Sequence, residues 1–210
     1  MSRRKFIASL IVLTLLGACG KEAKLPAVPA GQTVLAFGDS VTFGNGASPG
    51  EDWPSLLAAR TGWRIVNTGI PGDTAEAGKN RIQDLLDEHS PALVIIEIGG
   101  NDFLRRHPAQ QVKEDLRQIV QRVRQKGSPV VLVAVPELSL LGAISGKPSD
   151  SPIYQELAKE EKISLIKEVF SDVLAHPELC ADKIHPNAAG YQRMASGIHE
   201  HLVRIGLHQK

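Results

Sequence analysis

The sequence predicts an α/β fold: a parallel sheet covered by helices on both faces, in one domain. Three observations carry this. Strand-like and helix-like segments alternate without interruption from Thr33 to the C-terminus. The strand candidates around Leu35 and Val94-Ile95-Ile96 are near-continuously apolar instead of alternating, as strands buried on both faces must be. A chain of 210 residues without an internal repeat is long enough for one sizeable core.

The stretch that organises the rest is Thr33 to Ser40. It is apolar up to Gly38-Asp39-Ser40, and the glycine-marked Val41 to Gly46 then reads as a loop. A helix is expected from Trp53 to Arg60, entered through Pro54 and closed by Thr61-Gly62. Trp63 to Val66 is a short second strand ending at Asn67. Thr74 to Glu88 is a helix, with Thr74 as cap and Ile82, Leu85 and Leu86 on one stripe. Ala92 to Ile98 is the third strand. Pro108 to Lys126 is a long amphipathic helix with Val112, Leu116, Ile119, Val120 and Val123 at helical spacing, stopped by Gly127. Val130 to Val135 makes a fourth strand, Ile153 to Lys162 a helix, Ile163 to Ile166 a fifth strand and Asn187 to Ile205 the closing helix.

The first residues have a different character. Arg3-Arg4-Lys5 is a basic head, Phe6 to Leu16 an apolar run too short for a comfortable membrane span, and Leu16-Gly17-Ala18-Cys19 follows. The order is that of a secretory signal peptide over residues 1–18. Leu-Gly-Ala-Cys resembles the bacterial lipobox, which implies a lipidated Cys19, a tether over residues 19–32 and a domain from 33 to 210. It also implies a cell-envelope location, periplasm-facing or on the outer membrane, and Gly20 after the cysteine points to outer-membrane sorting. The alternative is an ordinary signal peptide with an incidental cysteine. Only Cys19 and Cys180 occur, so no intramolecular disulfide is expected. Cys180 reads as a small buried residue sooner than as a nucleophile.

Composition excludes some partners. Lys+Arg 24 against Asp+Glu 23 leaves a formal charge of +1, which offers no electrostatic footprint for nucleic acid. Aromatic residues at 4% are too sparse for a base-stacking surface. No Cys, His and carboxylate cluster has zinc spacing, so no metal is expected. His199 and His201 lie two apart on a helix and point to different sides; His89, His107, His176 and His208 read as surface residues.

Chemistry collects where the strands end. The first strand ends at Ser40, the second runs into Asn67-Thr68-Gly69-Ile70-Pro71-Gly72, and the third ends at Gly99-Gly100-Asn101-Asp102. In a doubly wound sheet these loops share one edge, at the crevice where strand order reverses. A serine, glycine backbone amides and an asparagine amide facing one crevice are the parts of acyl transfer: a nucleophile and N–H donors for an oxyanion. Taken singly, Gly-Asp-Ser reads equally as a turn capping a helix, and Asn101 as a turn residue. Asp39 and Asp102 read as local hydrogen-bonders.

Gly38-Asp39-Ser40, Asn67-x-Gly69-x-x-Gly72, Gly99-x-Asn101-Asp102 and Asp182-x-x-His185 stand in the order and contexts of the four blocks of the SGNH (GDSL) hydrolases, and the chain resembles that family from Thr33 to the last helix. Trp53-Pro54, Ile70-Pro71-Gly72-Asp73-Thr74 and Glu97-Ile98-Gly99-Gly100-Asn101-Asp102 look most like its bacterial periplasmic thioesterase/lysophospholipase and arylesterase branch. The resemblance implies a flavodoxin-like three-layer α/β/α sandwich with a five-stranded parallel sheet in the order 2-1-3-4-5, and no cofactor. It implies Ser40 as nucleophile, His185 as its base, and Asp182, three residues earlier, as the carboxylate that orients the ring. The Ser40 and Gly72 backbone N–H groups and the Asn101 amide would form the oxyanion hole.

Specificity is expected from Pro136 to Pro152, the longest loop, where Leu138, Leu140, Leu141 and Ile144 would wall an acyl pocket or else cover a small core of their own. The expected protein is a monomeric, lipid-anchored serine esterase for small acyl or aryl esters, including thioesters or lysophospholipids. A carbohydrate or peptidoglycan O-acetylesterase is the alternative enzyme, and an envelope-binding lipoprotein without activity the alternative outside enzymes.

Overall fold

Five strands form one sheet in the computed structural model, which describes residues 24–137 and 148–209. They are β1 (Thr33–Gly38), β2 (Arg64–Gly69), β3 (Leu93–Glu97), β4 (Val130–Val133) and β5 (Ser164–Ile166). Their order is β2-β1-β3-β4-β5 and every pairing is parallel. The order is the one implied by the family resemblance. Strand order reverses at β1, so the crevice opens beside its carboxyl end.

The described helices are α1 (Ser40–Phe43), α2 (Trp53–Thr61), α3 (Ala75–His89), α4 (Gly100–Leu104), α5 (Ala109–Gln125), α6 (Pro152–Glu161), α7 (Val169–Leu174) and α8 (Ala188–Arg204). Helices α3, α5 and α6 pack side by side in one layer, and α2, α8 and α7 in the other. Strands β1, β3 and β4 are buried along their whole length, so Leu35, Val94, Ile95 and Val131 meet helices above and below. Each such side chain contributes about 1.5–3 kcal/mol through burial. The stripe of α5 is buried as its spacing predicts. On α3, Ile82 and Leu86 are buried while Leu85 is only partly covered.

Several boundaries depart from expectation. The stretch after Ser40 is not a loop at first: the Asp39 carboxylate accepts the Val41 N–H at 3.0 Å, and a helical turn runs to Gly44, where φ of 106° ends it. Helices α4 and α7, of five and six residues, are too short to show a period in the sequence. Strand β2 extends to Gly69, and Trp63 stays outside it with its backbone N–H donating to Thr61 Oγ1 at 3.3 Å and its Nε1 to the Val28 carbonyl at 2.9 Å. His208 is not a free surface residue; its ring meets the Trp63 ring edge-on at 5.6 Å. Residues 25–31, read as tether, are stitched to the domain through backbone bonds from Leu25 to Ile205 and from Val28 to Leu207. The signal segment, Cys19 and the loop residues Leu138, Leu140, Leu141 and Ile144 lie outside the described residues.

Candidate active site

Ser40 is the first residue of α1, directly beyond the carboxyl end of β1. That placement depends on two glycines. A Cβ on Gly38 would lie 2.1 Å from the Glu97 carbonyl oxygen, and one on Gly69 would lie 2.2 Å from the Phe43 nitrogen. Bare backbone lets α1 sit directly on the strand ends.

The Asp182–His185 loop comes from the other end of the chain and is closed on itself. Ala181 N–H donates to the His185 carbonyl at 2.9 Å, and Cys180 pairs with Pro186 in an antiparallel bridge. One oxygen of Asp182 accepts the Ile184 and His185 N–H groups, each at 2.8 Å, as a short carboxylate in a turn does. The other lies 2.7 Å from His185 Nδ1. Asn187 caps α8 by accepting the Gly190 N–H and donates to the Glu178 carbonyl, which holds the loop from behind.

Two contacts bring the loops together across 145 residues of chain. The Tyr191 hydroxyl donates to the Asn45 carbonyl at 2.7 Å, and Gly46 lies so close that a Cβ there would stand 2.4 Å from the Pro186 carbonyl oxygen. As a result His185 Nε2 is 2.9 Å from Ser40 Oγ. Ser40, His185 and Asp182 thus form a continuous hydrogen-bonded row. Burial works against charge on Asp182, but hydrogen bonds from His185 and from the Ile184 and His185 N–H groups outweigh it and hold the carboxyl below its ordinary range.

Around this row the candidate donors are arranged unequally. The Ser40 N–H belongs to the first turn of α1 and has no intrahelical acceptor. Gly72 has φ of 82°, and its carbonyl accepts from Arg105 at 2.9 Å; among the described residues its N–H donates to nothing. Asn101 Nδ2 lies 2.9 Å from the Asp73 carbonyl and 3.3 Å from Asp39 Oδ2. Its amide therefore joins the β2–α3 loop to the Asp39 cap. Asp73 is itself fixed by Arg81, whose Nε donates to it at 2.8 Å while Nη2 donates to the Gly38 carbonyl at 3.0 Å.

Two buried carboxyls stand behind the serine. Burial pushes the Asp39 carboxyl up to about 7; the Val41 N–H and His185 oppose the shift, and Asp73 and Asp102 add to it. Glu97 is fully buried at the end of β3, and burial and then the Asp39 charge hold its carboxyl well above the ordinary range. One oxygen accepts from Thr42 Oγ1 at 2.8 Å; the other has no partner among the described residues.

Ser40, Asn101 and His185 line one pocket together with Leu104, Val135, Phe170, Leu174 and Ile184. Gly72 lies on the neighbouring loop and is not part of that lining. A larger hollow of about 460 Å³ opens on the opposite edge, between Leu25, Pro129, Ile163 and Ile205. There Ser164 Oγ lies 2.7 Å from His201 Nε2, at the amino end of β5 and away from the loops that follow the strands. Among the described residues no group of three or more His, Cys, Asp or Glu side chains is placed to hold a metal ion. Asp39 accepts locally, from Val41, and also from Asn101, whereas Asp102 accepts from the Ala75 N–H at the start of α3, 27 residues away, so neither is confined to its own turn. Sequence reasoning missed Leu104, Phe170, Leu174 and Ile184, which carry no local signal beyond being apolar.

Residues 36–193 match the model of the GDSL-like Lipase/Acylhydrolase family. The chain belongs to that family. Among curated members, Esterase TesA of Pseudomonas aeruginosa strain PAO1 is 33% identical over 190 residues, 88% of this chain and 94% of the relative. Thioesterase 1/protease 1/lysophospholipase L1 of Escherichia coli K12 is 36% identical over 163 residues, 75% of this chain and 77% of the relative. A crystal structure of TesA superposes with a TM-score of 0.74 at 31% identity, covering 83% of this chain and 99% of the other. As a member of this GDSL family the protein is an ester hydrolase, and its five-stranded parallel sheet is the family's fold.

Proposed function

We propose that this esterase acts through Ser40, His185 and Asp182 on small acyl or aryl esters, including thioesters or lysophospholipids. The observation that carries the reading is the 2.9 Å approach of His185 Nε2 to Ser40 Oγ, with Nδ1 held by Asp182 at 2.7 Å. With Nδ1–H donating to the carboxylate, Nε2 presents a lone pair to the serine hydroxyl. On attack Oγ bonds to the ester carbonyl carbon, its proton passes to Nε2, and Asp182 stabilises the imidazolium. His185 then protonates the leaving alcohol or thiol, and a water molecule activated by the same nitrogen releases the acid. The Ser40 and Gly72 N–H groups and the Asn101 amide stabilise the oxyanion, Asn101 turning one N–H from Asp39 to do so.

The apolar lining favours an acyl or aryl substituent over a sugar. Leu104, Val135, Phe170, Leu174 and Ile184 face the pocket, and the exposed large apolar side chains of the described residues, Phe43, Ile70 and Leu104, all lie at the carboxyl edge of the sheet. The relatives named as an esterase and as a thioesterase and lysophospholipase support the same class. No organic cofactor or metal takes part in these steps. The N-terminal segment is read as a signal peptide and Cys19 as the site of a lipid anchor, which puts the monomeric domain in the cell envelope.

The test pairs a fluorophosphonate with hydrolysis assays. Wild-type protein should be labelled at Ser40 and should turn over p-nitrophenyl and thioester substrates faster than acetylated xylan. Ser40→Ala should lose labelling and about 10³-fold or more of the rate while keeping its unfolding midpoint. Near-normal turnover by that variant would remove Ser40 from the reaction.

A further inference from the structure

The chain enters the domain on the edge opposite the chemistry. Leu25 N–H donates to the Ile205 carbonyl and Val28 N–H to the Leu207 carbonyl, each at 2.8 Å. Gly31 N–H donates to the Gly62 carbonyl at 2.8 Å, and Trp63 Nε1 to the Val28 carbonyl at 2.9 Å. Ile205 and Leu207 follow α8, and Gly62 and Trp63 lie between α2 and β2, so these bonds pin residues 25–31 where helices end and strands begin. In a parallel sheet every catalytic loop lies at the other edge.

Two lengths decide what an anchor can do. The six residues of β1 alone separate the two edges by roughly 20 Å. Cys19 precedes Lys24 by five residues, a contour of roughly 18 Å when fully extended. A membrane anchor on Cys19 cannot pass around the domain to set the crevice on the bilayer.

Cations also gather at the entry edge. Helix carboxyl ends favour cations, and all the long helices end on the entry edge. Lys24, Arg60, Arg64 and Lys162 stand there and make no ion pair among the described residues; Arg124 and Lys126 are paired with Glu161 and Asp87. Against them stand Glu88, met only by a histidine at 3.7 Å, and Glu200 near the end of α8, which makes no ion pair among the described residues. The hollow of about 460 Å³ opens among these cations, with Arg124 and Lys162 in its lining. The catalytic edge is mixed: Asp39, Asp73 and Asp102 are buried there, Asp182 holds His185, and the exposed Arg105, Arg106 and Lys183 make no ion pair among the described residues.

We propose that the entry edge is the surface this protein lays against its membrane, with Lys24, Arg60, Arg64 and Lys162 on anionic phospholipid headgroups and the catalytic crevice turned outward. The proposal rests on the lipid-anchor reading of Cys19. It follows that the enzyme takes dispersed acyl or aryl esters arriving through the aqueous phase and leaves the phospholipids of its own leaflet untouched.

The test uses the full lipidated chain in vesicles containing phosphatidylglycerol and a headgroup-nitroxide lipid. A fluorophore is placed on Gln125→Cys, at the entry edge, or on Ser48→Cys, at the catalytic edge, both in a Cys180→Ser background. The Gln125 label should be quenched several-fold more strongly than the Ser48 label. That contrast should shrink in phosphatidylcholine vesicles and when Arg60, Arg64 and Lys162 are changed together to Gln. Equal quenching of the two labels, or stronger quenching at Ser48, would overturn the orientation, and a contrast indifferent to lipid charge would overturn the headgroup contact. Palmitate incorporation is measured on the same preparation: protein without palmitate overturns the anchor and the proposal together, whereas its ester hydrolysis in detergent reports on the active site alone.

Discussion

The Tyr191 hydroxyl and the Asn45 carbonyl, 2.7 Å apart, join α8 to the turn that follows Ser40. Tyr191 is fully buried, and its neighbours in sequence lead back to the His185 loop. This single bond therefore sits between the two halves of the site, next to the Gly46–Pro186 contact.

Tyr191→Phe removes that bond without opening a cavity. Loss of one buried hydrogen bond should cost about 1 kcal/mol, read as a lowered unfolding midpoint. If the bond sets the Ser40–His185 approach, kcat should fall several-fold while KM stays near wild type. A wild-type kcat with a lowered midpoint would leave the approach to the Gly46–Pro186 contact.

Asn101 separates a catalytic role from a structural one. As an oxyanion donor it acts on charge present only in the transition state, so Asn101→Ala should lower kcat by ~10²–10³ with little change in KM. As a tie between Asp73 and Asp39 alone, its loss should lower the unfolding midpoint by the equivalent of about 1 kcal/mol and leave kcat within a few-fold. Measuring both on one variant decides between the two.

Glu97 should make stability fall as pH rises. Its carboxyl titrates higher in the fold than in the unfolded chain, whose ordinary value is 4.5, because burial and the Asp39 charge disfavour ionisation. Above that value the unfolded chain releases a proton the folded one keeps, so the folded state loses ground with increasing pH. Asp39, raised to about 7, adds the same sign between its ordinary 3.8 and 7. Glu97→Gln keeps an acceptor for Thr42 and removes the ionisable group. The variant's unfolding midpoint should gain on wild type as pH is raised from 5 to about 8, and parallel midpoints across that range would show that Glu97 does not titrate with folding.

Legibility followed physical cause. Strands β1, β3 and β4 could be read because burial on both faces demands unbroken apolar runs, and α5 because one buried stripe imposes a 3.6-residue period. Helices α1 and α4 could not, since four or five residues hold barely one turn and their ends are set by Asp39 and Gly99. Ser40, Asp182 and His185 were singled out by their resemblance to the family's sequence blocks. Of their contacts only the Asp182–His185 bond could be anticipated from spacing, because a carboxylate three residues before a histidine can bond its ring within one turn. Leu104, Phe170, Leu174 and Ile184 were not legible, because nothing local distinguishes an apolar residue facing a pocket from one facing a core.

By itself the sequence determined the layered fold and the Asp182–His185 turn, since the one follows a chain-long pattern and the other a contact within a few residues. Gly38 and Gly69 are instead required by the Glu97 carbonyl and the Phe43 nitrogen, far off in the chain. Only the tertiary structure decided that His185 Nε2 meets Ser40 Oγ, that Asn101 spans Asp73 and Asp39, and that residues 25–31 cross the edge away from the crevice. Those relations join segments from 28 to 180 residues apart, and their distances come from how the helices pack on the sheet, which no local spacing encodes.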